Sequence, residues 1–213
     1  IAQAKRITKE FELHGRFYAI DSTTINLCMS VFRWAKFRST KSGIKIHTQI
    51  DIATEIPVFY RISHANVHDT KSMDWFTYER NACYVLDRGY FDLSRLHAIG
   101  KAGAFFIIRE KFHPDYEITE GEDMLEGDDN VLRDQTVRFT GKRNSGNYPI
   151  PLRRIVFYAS DLGRAFTYYT NNFYLNAKDI ALLYRYRWQV ELFFKWIKQH
   201  LRVKSFWGES ENA

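Results

Sequence analysis

The stretch that decides the fold class covers residues 84–108, YVLDRGYFDLSRLHAIGKAGAFFII. Its first three residues predict a short buried strand, because an apolar run is followed at Asp87 by turn-forming residues. Asp92 then predicts the N-cap of a helix that continues to about Ile99. Residues 104–108 predict a second buried strand. A strand, a helix and another strand in succession indicate an α/β fold.

The residues before this unit predict further strands. Residues 17–20 form a short apolar run that ends at Asp21. Residues 44–52 alternate between apolar and polar side chains, which is the period of a half-buried strand, and residues 57–62 predict its hairpin partner. Asp69 predicts the N-cap of a helix that runs through Trp75 to about residue 80.

The residues after this unit predict a β-rich insertion and then a long helix. Residues 117–134 contain eight acidic residues and one arginine, which indicates a solvated loop. Three short apolar runs that predict strands follow, at 137–139, 155–158 and 166–169. A helical pattern extends from Asn176 to about His200. We therefore expect an α/β core in residues 1–109, an insertion in 110–170, and the rest of the core in 171–213.

The composition is that of an ordinary globular chain with a basic bias. Its 213 residues are 45% hydrophobic and 26% charged, a composition that argues against an intrinsically disordered chain. The formal net charge of +6 favours an anionic partner, because lysine and arginine gain affinity by displacing counterions from phosphate. The composition is therefore compatible with nucleic-acid binding but does not establish it.

The cysteine count and the hydropathy indicate a cytoplasmic protein. Cys28 and Cys83 form no C-x-x-C pair, which argues against a disulfide framework and a cysteine zinc site. No apolar run approaches the ~20 residues that a membrane-spanning helix needs, and no secretory signal is visible. The chain begins at Ile1 rather than Met, so we interpret it as a piece of a longer protein.

Asp21 and Asp87 have the same local context, an apolar strand followed by an aspartate and a turn. Functional groups of α/β proteins gather where strands end and loops begin, so these carboxylates are candidates for a shared site. The alternative is that each aspartate caps its own turn.

The last helix carries a polar stripe. Its members fall within an arc of roughly 60° at ~100° per residue, and they are Tyr184, Arg187, Glu191 and Lys198. Val190, Phe193, Trp196 and Ile197 are expected on the opposite face, packed on the sheet. An exposed Arg187–Glu191 pair four residues apart is the structural alternative.

Three carboxylates from two strand ends and one helix predict an all-oxygen site suited to Mg²⁺. Two ions ~3.5–4 Å apart would serve phosphoryl transfer by acting on the attacking and leaving oxygens. Arg187 and Lys198 would hold the DNA backbone beside that site.

Three ordered segments carry a resemblance to a known family. They are Ala19-Ile20-Asp21-Ser22-Thr23, Val85-Leu86-Asp87-Arg88-Gly89-Tyr90, and Tyr184-x-x-Arg187-x-x-x-Glu191-x(6)-Lys198. Together they resemble the DDE transposases of the insertion-sequence-four family, whose Y-R-E-K signature the third segment matches at full spacing. The similarity extends from about Phe17 to Ser210.

The resemblance implies a ribonuclease H-like core, a mixed sheet flanked by helices, with a β-rich insertion before the helix that carries Glu191. It implies that Asp21, Asp87 and Glu191 bind two Mg²⁺ ions, for which Mn²⁺ substitutes. The expected reaction is nicking by water, hairpin formation at the ends of a bacterial insertion sequence, and strand transfer. The expected partners are the terminal inverted repeats and target DNA, bound by a homodimer on paired ends near the nucleoid.

The resemblance also implies DNA contacts from one group of residues, namely Tyr184, Arg187, Lys198, Arg88 and Lys195. Family members use a tryptophan of the insertion to flip a base, but residues 110–170 contain none. Tyr148 or Phe139 is a candidate substitute. Family members also carry an N-terminal end-recognition domain and a C-terminal extension, which we expect this chain to lack.

Other residues have weaker claims to function. His47, His64, His68 and Asp69 match no standard zinc spacing, so capping and surface roles are favoured. Two basic groups are either DNA-facing loops or ordinary surface turns, the first around Trp34 (Arg33, Lys36, Arg38, Lys41), the second in the insertion (Lys142, Arg143, Arg153, Arg154). The alternative functions are a ribonuclease H-like nuclease without strand transfer and a non-catalytic DNA-binding fragment.

Overall fold

The structure, a computed structural model, describes residues 15–27, 36–38, 41–121 and 130–200. The strands of this part are β1 (Phe17–Leu27), β2 (Lys36–Arg38), β3 (Lys41–Asp51), β4 (Pro57–His64), β5 (Cys83–Leu86), β6 (Phe105–Arg109), β7 (Tyr116–Glu120), β8 (Val131–Phe139), β9 (Leu152–Ala159) and β10 (Arg164–Thr170). Its helices are α1 (Asp69–Ser72), α2 (Leu93–Lys101), α3 (Lys142–Asn147), α4 (Ala177–Tyr186) and α5 (Trp188–His200). Single 3₁₀ turns cover Met73–Trp75, Arg88–Tyr90 and Ser160–Leu162.

The strands of the described residues form a single mixed sheet in the order β2-β3-β1-β5-β6-β10-β9-β8-β7, with β4 also paired to β3. β1, β5 and β6 are parallel to one another, whereas the other pairs are antiparallel. The predicted α/β class and mixed sheet with flanking helices are confirmed.

Both faces of the central strands are buried, because successive side chains of a strand point to opposite faces. Tyr18 and Ile20 of β1 join the core cluster that includes the apolar residues of α2. Ala19 and its neighbour Val85 of β5 join a second cluster that includes residues of α4 and α5. Helices therefore cover the sheet on two sides, and the site described below lies on the side of α4 and α5.

β1 does not end where its apolar run ends. The strand continues through Asp21 to Leu27, because residues 18–27 pair antiparallel with β3 over their whole length. Only its parallel pairing with β5 stops at Ile20. The expected placement of Asp21 at a strand tip was therefore wrong, although Asp21 does lie where the parallel pair ends.

The hairpin of β3 and β4 is confirmed, but β3 is not half-buried. His47 and Gln49, on the face expected to be polar and solvated, are 0% and 5% exposed. The Trp75 ring packs edge-on against His47 with a centroid distance of 5.1 Å and contributes to the burial of that residue.

Asp69 is not a helix cap. It is the first residue of the four-residue α1, whose N-cap position is held by His68 without a side-chain hydrogen bond. The helix does not continue to residue 80, since α1 gives way to a 3₁₀ turn that ends at Trp75. The Asp69 carboxylate instead contacts β1 and β3.

The strands of residues 110–170 extend the same sheet. β10 pairs antiparallel with β6, and β9, β8 and β7 follow outward. Part of the acidic segment is strand rather than loop, since β7 and the start of β8 fall within it; residues 122–129 lie outside the described residues. The division at residues 109 and 170 stays a prediction.

The predicted last helix begins at its expected cap, where the Asn176 side chain accepts a hydrogen bond from the Asp179 amide. It is divided at Arg187, which ends α4 and precedes α5. Of the face expected to pack, Val190 and Ile197 are buried, but Trp196 is 52% exposed. Among the described residues, no helix has the length and apolar character needed to cross a membrane.

Candidate functional site

Two neighbouring strands bring Asp21 and Asp87 to the same edge of the parallel pairing. Ile20 and Leu86 are the last partners of β1 and β5, and each aspartate follows directly. Asp87 also forms the N-cap of a 3₁₀ turn, its carboxylate accepting from the Gly89 amide at 3.3 Å. Asp87 therefore does cap its own turn, as the structural alternative predicted, and it also lies at the same edge of the sheet as Asp21.

Arg187 links strand β1 to helix α5. Its Nη1 donates to Asp21 Oδ2 at 2.8 Å, and its Nη2 donates to Glu191 Oε1 at 2.7 Å. The Arg187 side chain is 13% exposed and that of Asp21 is 17% exposed, so the first of these ion pairs is largely shielded from water. The Arg187–Glu191 pair foreseen as a surface contact is therefore half of a bridge to Asp21.

Tyr184 makes the corresponding link to the third carboxylate. Its hydroxyl lies 3.4 Å from Asp87 Oδ1, a long hydrogen bond, and its ring packs on Tyr168 at a centroid distance of 4.8 Å. Burial raises the pKa of Tyr184 to about 12, so the hydroxyl keeps its proton and can donate. The Arg187 guanidinium lies over the Tyr184 ring, 5.7 Å from its centroid, and this contact connects the two sets of bonded residues into one group.

The electrostatics of this group centre on Asp21. Burial raises the pKa of Asp21 to about 6, with smaller upward contributions from the charges of Asp87 and Glu191. Arg187 and the Ser22 amide, which donates to Asp21 Oδ1 at 2.8 Å, act in the opposite direction. Burial and the two neighbouring acids therefore disfavour a negative charge on Asp21, and a bound cation would relieve that cost.

The donor set fits a hard divalent cation, since it consists of carboxylate oxygens from three separate elements. In the described residues, however, no three carboxylate, histidine or cysteine side chains already converge to hold a metal ion. The Arg187 guanidinium lies between Asp21 and Glu191 and supplies the positive charge there. A metal at this place requires that guanidinium to move.

A cleft of about 410 Å³ opens beside Arg187 and Glu191. It is lined by basic and aromatic side chains, chiefly Arg109, Arg164, Arg185, Phe166, Tyr168 and Trp188. Arg164 lies over the Phe166 ring at 4.7 Å, and Trp188 is 58% exposed. Such a lining suits both phosphates and the faces of bases.

A second cleft of about 540 Å³ also borders Glu191 and is lined by residues of β1 and α5. Lys195 and Lys198 line it together with Asp21. Both lysines are exposed, and so is Arg88 in the turn after Asp87. The structure thus leaves these three basic residues open to solvent around the carboxylates, while it buries Tyr184 and most of Arg187.

Several weaker candidates are placed away from this site. Tyr148 and Phe139 are 0% and 2% exposed within the core, so neither ring is available at the surface to stack on a base. Arg153 and Arg154 are turned inward, where they bond to Asp134 and Gln135. His47 is buried whereas His64 and His68 are exposed. The basic group around Trp34 lies mostly outside the described residues, with only backbone described at Lys36, Arg38 and Lys41.

Sequence reasoning missed Arg109 and the contact between Ser22 and Asp69. Arg109 ends β6, the third parallel strand, and reaches the Arg187 cleft. Its signal was the one used for Asp21 and Asp87, a polar residue directly after a buried run. Ser22 Oγ donates to Asp69 Oδ1 at 2.6 Å, a contact between distant segments that no local pattern indicates.

Comparison with known proteins places the chain in a family. Residues 12–213 match the family described as Transposase DDE domain. The relative of Sinorhizobium fredii named "Putative transposase y4zB" is 39% identical over 197 residues, which are 91% of this chain and 54% of that protein. The relative of Geobacillus stearothermophilus named "Probable transposase for insertion sequence element IS5377" is 29% identical over 197 residues, or 91% of this chain and 51% of that protein.

One solved structure is similar with a TM-score of 0.48 and 10% sequence identity, over 87% of this chain and 41% of that chain. It is the cryo-EM structure of the piggyBac transposase synaptic complex with hairpin DNA. This chain spans about half the length of the curated relatives that it matches.

The family match covers both aspartates, the polar stripe of the last helix and nearly all of the sheet. It does not distinguish the insertion-sequence-four branch, whose Y-R-E-K signature stays a prediction. This chain belongs to the transposase DDE domain family.

Proposed function

We propose that this chain carries the catalytic centre of a DNA transposase that cleaves and joins the ends of a bacterial insertion sequence. The mechanism that we propose is cut-and-paste transposition through hairpin ends, in the insertion-sequence-four branch of the family. Strands β1, β3, β4, β5 and β6 would form its ribonuclease H-like core. The protein would act as a homodimer on paired terminal inverted repeats and then on target DNA.

One observation carries the proposal, namely the connection of three carboxylates through Arg187 and Tyr184. Asp21 and Arg187 are 166 residues apart in sequence, and Asp87 and Tyr184 are 97 apart. Charged side chains are seldom buried unless they are paired, and a structural pair needs only one partner for each charge. Two acids paired with one arginine, and a third bonded to the neighbouring Tyr184, all beside two open clefts, are better explained by a site for phosphoryl transfer.

Asp21, Asp87 and Glu191 would hold two Mg²⁺ ions, or Mn²⁺ in their place. Bound there, the ions would lower the barrier to phosphoryl transfer by acting on the attacking and leaving oxygens. The Ser22 amide would keep Asp21 Oδ1 oriented, and the Gly89 amide would do so for Asp87 Oδ2.

Arg187 would change partners when DNA and metal ions bind. Released from Asp21, its guanidinium would turn to a phosphate of the transposon end. The phosphate is negatively charged, as the carboxylate is, and can accept two hydrogen bonds from the guanidinium. Tyr184, Lys195, Lys198 and Arg88 would add contacts to the DNA backbone around the site.

The aromatic lining of the Arg187 cleft supports the hairpin step. Trp188 is exposed, lines this cleft together with Phe166 and Tyr168, and could stack on a base that leaves the duplex. Trp188 is thus a better candidate for this role than the buried Tyr148 or Phe139.

Cleavage of DNA that carries the inverted repeats tests the proposal. We expect Asp21→Asn, Asp87→Asn and Glu191→Gln each to lower Mg²⁺-dependent cleavage by about 10³-fold or more, since each removes a ligand charge from the reacting centre. Binding of the ends should persist. Asp74→Asn is the matched control, because Asp74 pairs with Arg95 away from the clefts, and it should cleave like the parent.

The outcomes separate the alternatives. Near-parental cleavage by any of the three variants would show that the altered residue is not a catalytic ligand. Cleavage without joining to target DNA would favour a ribonuclease H-like nuclease. End binding without cleavage by the parent protein would favour a non-catalytic DNA-binding fragment.

A further inference from the structure

A polar cluster lies on the opposite face of the sheet from Arg187, directly beneath the site. Its residues are Ser22 of β1, Lys45 of β3 and Asp69 of α1. Ser22 Oγ donates to Asp69 Oδ1 at 2.6 Å, and Lys45 Nζ donates to the same oxygen at 3.2 Å. Because Ser22 follows Asp21 in a strand, the two side chains point to opposite faces.

The cluster is connected to Asp21 through the backbone of Ser22. The Ser22 amide donates to Asp21 Oδ1 at 2.8 Å, while Arg187 holds Asp21 Oδ2 from the other side. Any rotation of the Ser22 backbone would turn its amide away from Asp21. The bond from Ser22 Oγ to Asp69 opposes such a rotation.

The cluster also borders the turn that follows Asp87. A Cβ at Gly89 would lie 3.4 Å from Asp69 Oδ2 and 3.7 Å from Asp87 Oδ2, so both carboxylates flank this glycine. Asp69 therefore contacts Ser22, which follows Asp21, and it also lies against the Gly89 turn, which follows Asp87.

The charge of Asp69 is compensated locally. Lys45 is fixed by the Val67 carbonyl at 2.7 Å as well as by Asp69, and its side chain is 13% exposed. Without this ammonium group, Asp69 would add a further negative charge near Asp21 and Asp87. With it, the carboxylate can serve as an acceptor for Ser22.

We propose that Asp69 is a positioning residue of the metal site, acting through Ser22 on Asp21 and by contact on the Gly89 turn. The inference rests on the proposed function, since it requires Asp21 to bind a divalent cation. Partners that orient metal ligands change metal affinity by roughly 10- to 100-fold when they are removed. A contact that only anchors α1 would change the stability of the fold instead.

The test is the affinity of the purified chain for Mn²⁺ alone, measured by electron paramagnetic resonance, with thermal unfolding recorded for each variant. Ser22→Ala removes the bond to Asp69 but leaves the Lys45–Asp69 pair, and it should weaken Mn²⁺ binding about 10-fold. Asp69→Ala should do the same. Ser22→Thr keeps the hydroxyl and suits a strand, so it should bind like the parent.

Ser63→Ala is the matched control, because its hydroxyl bonds to the buried His47 of the same hairpin without reaching the carboxylates. It should leave Mn²⁺ affinity unchanged. Parental affinity in folded Ser22→Ala and Asp69→Ala, whatever their Tm, would overturn the inference and leave the proposed function standing. If the parent binds no Mn²⁺, or if Asp21→Asn binds it equally well, the proposed metal site fails and this inference fails with it.

Discussion

At the scale of single residues, the Asp21 carboxylate is held by donors on both oxygens, the Ser22 amide at one and Arg187 at the other. These bonds favour its ionised form, but burial outweighs them and raises its pKa to about 6. A carboxylate that the fold destabilises when ionised gains more from a bound cation than a solvated one does. The cost of burying Asp21 is thus consistent with a role as a ligand.

We expect Asp21→Asn to raise the Tm of the metal-free chain at pH 8 by a few degrees, since about 1 kcal/mol moves Tm by ~2–4 °C in a chain of this size. Because the folded pKa is above the ordinary value of 3.8, the stability due to this group is present below pH 3.8 and is lost as the pH rises through about 6. The gain on substitution should therefore be small at pH 4.

Thermal unfolding in a metal chelator at both pH values measures this effect. Asp74→Asn, which alters an exposed carboxylate, should show no gain that grows with pH. A lower Tm for Asp21→Asn at pH 8 would contradict the expectation, since Arg187 would then dominate over burial.

We expect Arg187→Met to destabilise the metal-free chain by about 3 kcal/mol, because it removes the cation that pairs with Asp21 and Glu191. Mg²⁺ should restore part of the loss, since it would neutralise the same carboxylates. Urea unfolding with and without Mg²⁺ checks both effects. Arg185→Met is the control, because Arg185 forms an exposed pair with Asp161, and such a pair contributes little. A loss that Mg²⁺ leaves unchanged would count against a metal site here.

At the scale of elements, the sequence predicted those that local patterns specify. The alternation of residues 44–52 identified β3, and Asn176 identified the start of α4. The polar stripe identified Glu191 and Arg187 as neighbours. The stripe did not predict the orientation of α5. Trp196, which was expected to pack on the sheet, is 52% exposed, whereas Phe194, which was not assigned to the packed face, is buried. That orientation depends on packing against β1.

The connection between the insertion strands and α4 is a second element-level feature. Arg153 of β9 donates to both carboxylate oxygens of Asp134 on β8, at 2.7 and 2.6 Å. Its remaining nitrogen donates to the carbonyls of Asn172 and Leu175, just before α4. Arg153 therefore ties the extended sheet to the helix that carries Tyr184.

We expect Arg153→Met to lower the free energy of unfolding by about 3 kcal/mol, because its side chain is 11% exposed and it donates to Asp134 and to two backbone carbonyls. Urea denaturation measures the loss. Arg138→Met removes one exposed bond to the Pro149 carbonyl and should cost much less. Equal losses for the two variants would show that Arg153 has no special anchoring role.

At the scale of the whole molecule, strands β1 to β10 belong to one sheet, although the sequence predicted a core and a separate insertion. The pairing of β10 with β6 joins them, and it aligns Thr170 with Ile107, which is 63 positions earlier in the sequence. Local propensity carries no information on such a register. Asp69 was misjudged for the same reason, because its partners are 24 and 47 residues away and only the folded chain brings them together.

The central claim is that Asp21, Asp87 and Glu191 act as one site for divalent cations. It depends on the same convergence of residues that are distant in sequence. The anomalous signal of Mn²⁺ in a crystal of the chain tests it most directly. We predict a peak within bonding distance of the Asp21 and Asp87 carboxylates, with the Arg187 guanidinium withdrawn from Asp21. A saturated crystal in which Arg187 still bridges Asp21 and Glu191, and in which Mn²⁺ lies elsewhere or nowhere, would contradict it.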